Sequence, residues 1–570
     1  MYILSIHAAA HDSAAALFRD YDLLAAVQQE RLTRRKGAGG QPVEAVAEVL
    51  AIAGLEPAEI DVLVLSRAHY PIRFFTGFSA YKRLEDGVNR FFGKHRNRDV
   101  VDEMRRVGTG SANAVFDTAA YLDYLGLRPG IPVFFSNHHF AHGLSALFHT
   151  DWDDALIYTA DGCGDNVHYS HRLLKHGQID CLFGDDRWLA PQRRVDSLGL
   201  AYGYATQALG YRMNRHEGKL TGLAAFGQTS VAAEIARHFS IDAEGRVDSD
   251  FASDAAMRAA ITALAATCSA PDMAASIQLV LEETILASVK RLLELHGSRN
   301  LALAGGVFAN VRLNRLLCEA TGLDEVFIFP AMGDEGLTIG GALQYLLERD
   351  GPETWLKQRR RLPDVYFGRD YGAEIDQALS TADGIRTLPG DPVEVATRLL
   401  VEGQVGAIYE GRMEFGPRAL GARSILASPA DAAVNQRMNE RLNRTEFMPF
   451  APYVLEEDAA EVFDVTPANR YACRFMTITT AVRPAWRERI PAVVHVDGTA
   501  RPQIIDPAAN PLYAAILAAF KQATGLPVLV NTSFNAHEEP IINRPSECVG
   551  ALQGDRIDFV VTRQAVYRRG

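Results

Sequence analysis

Residues 137–147 read NHHFAHGLSAL, and His138 and His142 stand four positions apart. On a helix, residues i and i+4 share a face with Cβ atoms roughly 5–6 Å apart. That is close enough for two imidazoles to hold one divalent metal. The plainer alternative is a helix that carries its histidines as satisfied polar groups. No glutamate stands between them, so the pattern is not that of a zinc peptidase. His139 falls off the shared face and is expected to pack or to support a neighbour. Three acids recur in loops of one kind: Asp12 in HDSAAAL, Asp161 in DGCGDN and Asp334 in GDEGLTIGGA. Beside glycines, such a carboxylate can take a metal while the backbone approaches an anion. An Asp-Gly pair also makes hairpin turns, so that reading of Asp161 stays open.

A second set of residues points to phosphate. Gly305 and Gly306, followed by Asn310, lie between an apolar run and a helical pattern. There, backbone N–H groups and a helix terminus can face a nucleotide. Lys219 in EGKLTG can reach a phosphate or lie on the surface. Residues 411–425, GRMEFGPRALGARSI, set Arg412, Arg418 and Arg423 among glycines. Arg441, Arg444 and Arg501 follow, and then the cluster Asn531-Thr532-Ser533-Phe534-Asn535. A guanidinium is always charged and grips phosphate through paired N–H groups. A surface ion pair is the alternative for each arginine.

The elements that must carry these groups are legible in outline. Residues 2–6 read as a strand, the Asp12 passage as a polar turn, and 23–29 as a further strand. That is how a ribonuclease-H-like sheet begins, with small residues and hydroxyls in a turn that can hold phosphate. Residues 62–66 form a strand, 69–126 read as a helical insertion, and 131–136 form the strand that delivers the histidines. Residues 155–160 make a strand ending at Asp161. Residues 232–264 read as Ala-rich helix and 272–295 as a long amphipathic helix. The strand 326–329 leads to Asp334. A charged segment, 359–372, places a domain boundary near Gly372. Helices at 374–379 and 392–402 and strands at 405–409 and 528–530 follow.

At 570 residues the chain suggests two to four domains, and a hydrophobic fraction of 48% with 22% charged residues is ordinary for a globular protein. A net charge of -12 argues against nucleic acid as main partner. The most basic stretch, 94–106, is mixed with acids and reads as a solvated helix face. Six scattered cysteines make no C-x-x-C pair, which disfavours a zinc knuckle and fits a reducing cytosol. The N-terminus has no basic region before its apolar run, and no run of about 18 apolar residues exists. A cytoplasmic protein without a membrane partner is the expectation.

With these motifs on the page, the chain resembles the NodU/TobZ family of O-carbamoyltransferases. The motifs that carry the resemblance are HDSAAAL with QERLTRRK, HHFAH, DGCGDN, EGKLTGLA, GGVFAN, GDEGLTIGGA, GRMEFGPRALGARSIL, FMPFAP, HVDGTARPQ and VNTSFN. They occur in the family's order over nearly the whole chain. The resemblance implies an α/β protein with an actin-like ATPase domain of two ribonuclease-H-like halves, residues 1–372. A YrdC-like α/β domain, residues 373–570, follows it. It further implies that carbamoyl-AMP forms from carbamoyl phosphate and ATP (with Mg2+) in the C-terminal domain. The carbamoyl group then passes to a hydroxyl of a small natural product or sugar at a metal in the N-terminal domain.

Carried over residue by residue, His138, His142, Asp161 and Asp334 match the metal ligands, a donor set that suits Fe(II), with Mn or Zn as alternatives. His11 and Asp12 match the active-site turn and offer a base. Lys36 matches a basic residue near acceptor or phosphates. Lys219, Gly305, Gly306 and Asn310 fall in the nucleotide-binding part. Arg418, Arg423, Arg501, Asn531 and Ser533 match the carbamoyl phosphate and ATP site. Many members carry a lysine where this chain reads Arg441-Leu442-Asn443-Arg444, so which arginine replaces it is open. Asp165-Asn166 also departs from the aromatic or Glu common after the DG loop. Two rival classes share parts of this pattern: a tRNA threonylcarbamoyl-type enzyme and an actin-like sugar kinase or ATPase. The acidic charge and domain order weigh against the first, and the second would release ADP. The acceptor is expected to be shaped by 69–126 and the loops around Lys36, and a homodimer is the assembly considered.

Overall fold

The computed structural model describes residues 1–91, 97–444 and 449–570. Residues 92–96 of the expected insertion, and 445–448 within the stretch that includes FMPFAP, lie outside the described residues.

Two five-stranded sheets share one plan. The first has β1 (Tyr2–His7), β2 (Ala14–Arg19), β3 (Asp22–Gln28), β4 (Val62–Ser66) and β5 (Val133–Ser136), in the order β3-β2-β1-β4-β5. The second has β6 (Ala155–Gly164), β7 (Val167–Lys175), β8 (Gln178–Phe183), β9 (Asn300–Ala304) and β10 (Glu325–Ile328), in the order β8-β7-β6-β9-β10. In each, three antiparallel strands continue into parallel ones. This repeated 3-2-1-4-5 order is the duplicated ribonuclease-H-like arrangement of actin-like ATPases. Parallel neighbours need long crossovers. Residues between β4 and β5 supply one, and the stretch with helix Ala270–His296 supplies the other.

Between the sheets lie α1 (His138–Phe148), hydrophobic and buried on nearly every side, and α2 (Leu337–Lys357). Such all-round burial suits a helix clasped between layers. Glycines set how close the two helices come. A Cβ on Gly340 would stand 1.8 Å from the Ala141 carbonyl oxygen, so only glycine permits this crossing.

The C-terminal part is α/β, built on an eight-stranded mixed sheet. Its strands are β11 (Ile385–Leu388), β12 (Gly406–Tyr409), β13 (Arg423–Ala427), β14 (Ala451–Leu455), β15 (Gln503–Ile505), β16 (Val528–Ser533), β17 (Phe559–Val561) and β18 (Val566–Arg569). Their order is β11-β18-β17-β12-β13-β16-β14-β15. It packs on the outer strand of the second sheet. Phe327 of β10 stacks on Tyr471 at 4.3 Å, and the Tyr471 hydroxyl donates to the His149 carbonyl at 2.7 Å. One hydrophobic cluster runs from β6 and β9 into the C-terminal sheet.

Three expectations change. The 69–126 insertion is not only helical: His69–Pro71 pairs with Asn97–Asp99 as a ribbon. Residues 232–264 are broken after the short helix Ala232–Ala236 by a hairpin of Phe239–Ile241 and Val247–Ser249, whose turn holds Gly245 in the left-handed region. Asp161 does not end its strand. β6 runs to Gly164, and the two-residue turn is Asp165-Asn166, both at positive φ (47° and 69°). Such φ pairs are the tight hairpin type that asparagine and aspartate tolerate.

Candidate active site

Asn137 starts α1 by accepting the Phe140 N–H at 2.8 Å. The next residue, His138, is therefore in the first turn, and its own N–H donates to Asp165 at 2.8 Å. His138 and His142 then face β6 with their Nε2 atoms. They lie 3.3 and 3.1 Å from Asp161 Oδ2 and 3.7 and 3.5 Å from Asp334 Oδ1. One donor atom from each of the four lies within 4.8 Å of the others. Asp161 projects from an irregular part of β6, where pairing with β7 shifts between Ala160 and Gly164. Asp334 opens a short 3-10 turn after β10. Glycines make room: a Cβ on Gly164 would stand 2.1 Å from His138 Cδ2, and one on Gly306 would stand 3.1 Å from Asp161 Oδ1.

Charge in this cluster is balanced between acids and imidazoles. Burial pushes the Asp161 carboxyl up, as does Asp334, yet hydrogen bonds from His138 and His142 outweigh both and hold it low. Asp334 is likewise held well below the usual carboxylate range against burial, chiefly by His142 and His7. Burial opposes charge on His138, and the two acids still raise it to about 9. Two carboxylates held ionised beside two imidazoles form a donor pattern that a divalent cation can occupy. Bonds of roughly 2.0–2.2 Å to nitrogen and oxygen place ligand atoms about 3–3.5 Å apart, close to the imidazole–carboxylate distances of 3.1 to 3.7 Å here. The donor set fits a borderline divalent metal.

Three further residues bear on the cluster: His7 and Glu335, which the sequence did not single out, and Asp165, which it marked only as a departure from the family pattern. His7 on β1 reaches Asp334 Oδ2 at 3.6 Å and holds the Ser66 hydroxyl at 2.9 Å through Nδ1. Its only signal was its place in SIHAAAHD. Asp165 accepts from α1 and pairs with Arg67 at 3.4 Å, so the departure at Asp165-Asn166 serves to fix His138. Glu335 is buried, and burial with Asp12 nearby raises it to about 8. His139 donates or accepts between Thr159 at 2.9 Å and the Val167 carbonyl at 3.1 Å, away from the cluster.

At the rim, His11 Nδ1 meets Asp12 Oδ2 at 3.0 Å, and each is about one-third exposed. That bond, against burial, lifts His11 to about 9. Asp12, with a φ of 54°, turns the chain sharply here. Lys219 is buried in helix Glu217–Leu223, which overturns the surface alternative. Gly305 approaches β6 so closely that a Cβ would lie 2.2 Å from the Ala160 carbonyl oxygen. Asn310 caps helix Val311–Ala320, and its amide is engaged by Gln278 at 2.8 Å. The helix start, rather than the amide, is what it can offer a phosphate.

In the C-terminal part a buried network joins three motifs. Asn531 Nδ2 donates to Gln503 Oε1 at 2.6 Å and to the Ala419 carbonyl at 3.2 Å, and Gln503 donates to the Leu420 carbonyl at 2.7 Å. Arg418 and Arg501, both half-buried, flank that network in sequence. Burial and Arg501 together push His495 down to about 4. Glu414 accepts N–H bonds from Leu420, Ala422 and Arg423 and so folds the loop.

Arg423 departs from its expected place at the anion. Its guanidinium is fully buried, donates to the carbonyls of Glu410, Gly411 and Ala422, and lies 3.7 Å over the Tyr409 ring. It shapes the loop. Arg412 likewise serves the carbonyls of Leu24, Phe367 and Gly368. Arg441 pairs with Asp558 at 3.1 Å, whereas Arg444 reaches the Ser533 carbonyl at 2.6 Å and hydroxyl at 3.2 Å. Of the two arginines, Arg444 is the one beside the Asn531–Asn535 cluster.

The N-terminal lobe grips this loop and a second segment of the C-terminal part. Arg31 is buried, donates to the Gly416 carbonyl at 2.6 Å, and pairs with Glu30 at 2.8 Å. Arg34 donates to the carbonyls of Pro540 and Ile541, each at 2.7 Å.

A family model described as carbamoyltransferase N-terminus matches residues 2–343, and one described as carbamoyltransferase C-terminus matches residues 397–569. The nodulation protein NolNO of Sinorhizobium fredii is 32% identical over 564 residues, 97% of this chain and 78% of that protein. The nodulation protein NolO of Bradyrhizobium diazoefficiens is 34% identical over 444 residues, 76% of this chain and 79% of that protein. A solved structure of full-length HypF in a phosphate- and nucleotide-bound form is similar at 14% identity and a TM-score of 0.32, over 62% of this chain and 56% of that one. That likeness is too slight to argue from, and the fold rests on strand order. No helix among the described residues is long and apolar enough to cross a membrane.

Proposed function

The chain belongs to the carbamoyltransferase family, and from that premise we propose that it works in two steps at two centres, adenylation in the part beyond about residue 372 and transfer in the part before it. The observation that carries this reading is the grip of Gln28 and Arg31 on the arginine loop. Gly416 donates to Gln28 at 3.2 Å and accepts from Arg31 at 2.6 Å, so the segment that follows β3 is also a wall of the second centre.

In the first step, carbamoyl phosphate loses its phosphate to water and leaves carbamate. A carbamate oxygen then attacks the α-phosphate of Mg-ATP, pyrophosphate departs, and carbamoyl-AMP remains. Arg418, Arg501 and Arg444 face the charge that grows at phosphorus, a preorganised electrostatic contribution. Asn531, fixed by Gln503, and Ser533, beside Arg444, orient the carbamate. Arg423 holds the loop rather than the substrate.

In the second step, an acceptor hydroxyl attacks the carbamoyl carbon, and AMP leaves. Asp12 takes the hydroxyl proton, with His11 holding its carboxylate in place. Lys36, Lys219, Gly305, Gly306 and the start of helix Val311–Ala320 receive the adenylate. His138, His142, Asp161 and Asp334 would hold a divalent ion, Fe(II) by family resemblance, which supplies Lewis-acid polarisation when bound. A closed route between centres protects an adenylate that water would destroy. The acceptor is a small-molecule hydroxyl, and the setting is the cytoplasm.

The test is direct. The protein is given carbamoyl phosphate, ATP and an amino-sugar acceptor, with and without ferrous iron. The expected result is pyrophosphate release in both cases and an acceptor heavier by one carbamoyl group with iron. ADP as the nucleotide product, or no pyrophosphate in either case, would sink the two-step reading.

A further inference from the structure

Where the two parts of the chain meet, Lys36, already assigned to the adenylate, has two neighbours that neither step has used, Arg215 and His216. Arg215 and His216 precede the helix that carries Lys219, and the guanidinium of Arg215 packs on Gly37, next to Lys36: a Cβ on Gly37 would lie 3.2 Å from it. All three come from the N-terminal lobe. The carboxylate that Arg215 and His216 meet comes from the other lobe. Glu538 takes His216 Nε2 at 2.9 Å on one oxygen and Arg215 at 3.3 Å on the other. The backbone N–H of Arg212 donates to His216 Nδ1 at 3.1 Å, so the ring hydrogen sits on Nε2 and points at the carboxylate.

Glu538 is held there at some cost. Its φ of 59° lies in the left-handed region, which a glutamate rarely adopts. The segment around it is tied to both centres. Asn535 accepts from Arg444 at 2.7 Å, His537 N–H donates to the Leu442 carbonyl at 2.9 Å, and Arg34 holds Pro540 and Ile541. Arg444 in turn contacts Ser533. Glu538 is therefore linked through a few bonds to the residues that would sense carbamate and adenylate. Its carboxylate sits well below the usual range, at about 2, where burial would raise it but His216 and Lys36 hold it charged. Two oxygens taken by a guanidinium and an imidazole N–H, with the charge of Lys36 acting on them, reproduce what a phosphate monoester presents.

We infer that Lys36, Arg215 and His216 form a phosphate-binding station on the path between the two centres, and that Glu538 is a placeholder carboxylate which yields it to the phosphate of a nucleoside monophosphate ester. This rests on the two-centre reading above. It assigns Arg215 and His216 as ligand contacts and Glu538 as a positioning residue. A carboxylate that must leave before the ligand enters lowers apparent affinity by the fraction of time the site is free. It also keeps the cationic path satisfied when no adenylate is passing.

The experiment measures binding of AMP and of inorganic phosphate to the full chain by calorimetry. In Glu538→Gln the amide keeps an acceptor for His216 but gives up the charge. The expected result is AMP affinity about tenfold tighter than wild type, as for a site blocked about nine-tenths of the time. In the double variant Glu538→Gln, Arg215→Ala that gain disappears. A gain for phosphate as well as AMP supports the same station, read through phosphate alone. Unchanged affinity for both ligands in Glu538→Gln overturns the inference, as does a gain that survives loss of Arg215. No pyrophosphate or carbamoyl product is read here, so failure of the two-step chemistry and failure of the station are told apart.

Discussion

His7 and His168 show what single side chains do beside β1 and β6. His7 touches Asp334 from the side opposite α1, and Ser66 fixes its ring through Nδ1. Losing such an outer partner typically costs roughly 10–100-fold in metal affinity. His7→Asn should weaken ferrous binding by that factor, measured by competition with a chelator, while pyrophosphate release stays near wild type. His168 is buried beside β6 with Asp196 at 2.6 Å. Burial opposes its charge, but Asp196 and Cys163 raise it to about 9 from 6.5. A folded-state value above the unfolded one means that the proton stabilises the native protein. That stability is full below about pH 6.5 and is lost as pH rises through about 9. The melting-temperature gap between wild type and His168→Gln should therefore narrow from pH 6 to pH 9.5, and a gap constant with pH would refute it. The four metal-type ligands were legible because spacing and loop type mark them. His7 and His168 were not, since a lone histidine in an apolar strand carries no spacing signal, and only folding brings it to its acid. Arg423 misled for the converse reason: its motif shows an arginine among glycines, but not which carbonyls the loop turns toward it.

Elements place those side chains to within tenths of an ångström, and glycines decide how. The α1 and α2 helices touch where Gly340 faces the Ala141 carbonyl, one residue before His142. Adding a methyl there forces the helices apart and carries His138 and His142 away from Asp161. Gly340→Ala should cost about 1–3 kcal/mol of stability, as overpacking does, and should lose metal affinity at the same time. A variant that melts earlier yet binds ferrous iron as wild type would show that the crossing does not set the cluster. Strand order was foreseeable from the first two strands and the turn at Asp12, because one antiparallel start followed by parallel strands repeats in both halves. The hairpin in the expected helix 232–264 was not, since alanine-rich composition hides the turn at Gly245. Nor was the extent of β6. Glycines at 162 and 164 look like a loop in sequence, but here they keep a strand flat enough for His138 to lie against it.

At the scale of the whole molecule, the two-centre proposal requires a physical link between the two parts of the chain. The N-terminal segment Gln29–Thr33 and its neighbours supply the link. Arg31 is 3% exposed, paired with Glu30 and bound to the Gly416 carbonyl, while Glu30 also accepts the Gly37 N–H at 2.6 Å. One buried ion pair thus connects the arginine loop to the backbone beside Lys36. Removing either charge outright would leave the other buried and unpaired, typically a loss of about 3–5 kcal/mol that would confuse misfolding with uncoupling. Arg31→Lys keeps the charge but cannot bond Glu30, Gln28 and Gly416 at once, because an ammonium lacks the planar fork. The expected outcome is a folded enzyme that still releases pyrophosphate but delivers fewer carbamoyl groups for each one, with the difference appearing as carbamoyl adenylate lost to water. The measurement is the ratio of carbamoylated acceptor to pyrophosphate in the same reaction. If both products fall together and their ratio holds, Arg31 only supports adenylation and the lobes are not coupled through it. If the ratio drops several-fold while pyrophosphate persists, the grip of one lobe on the other's loop is what keeps the intermediate inside the protein.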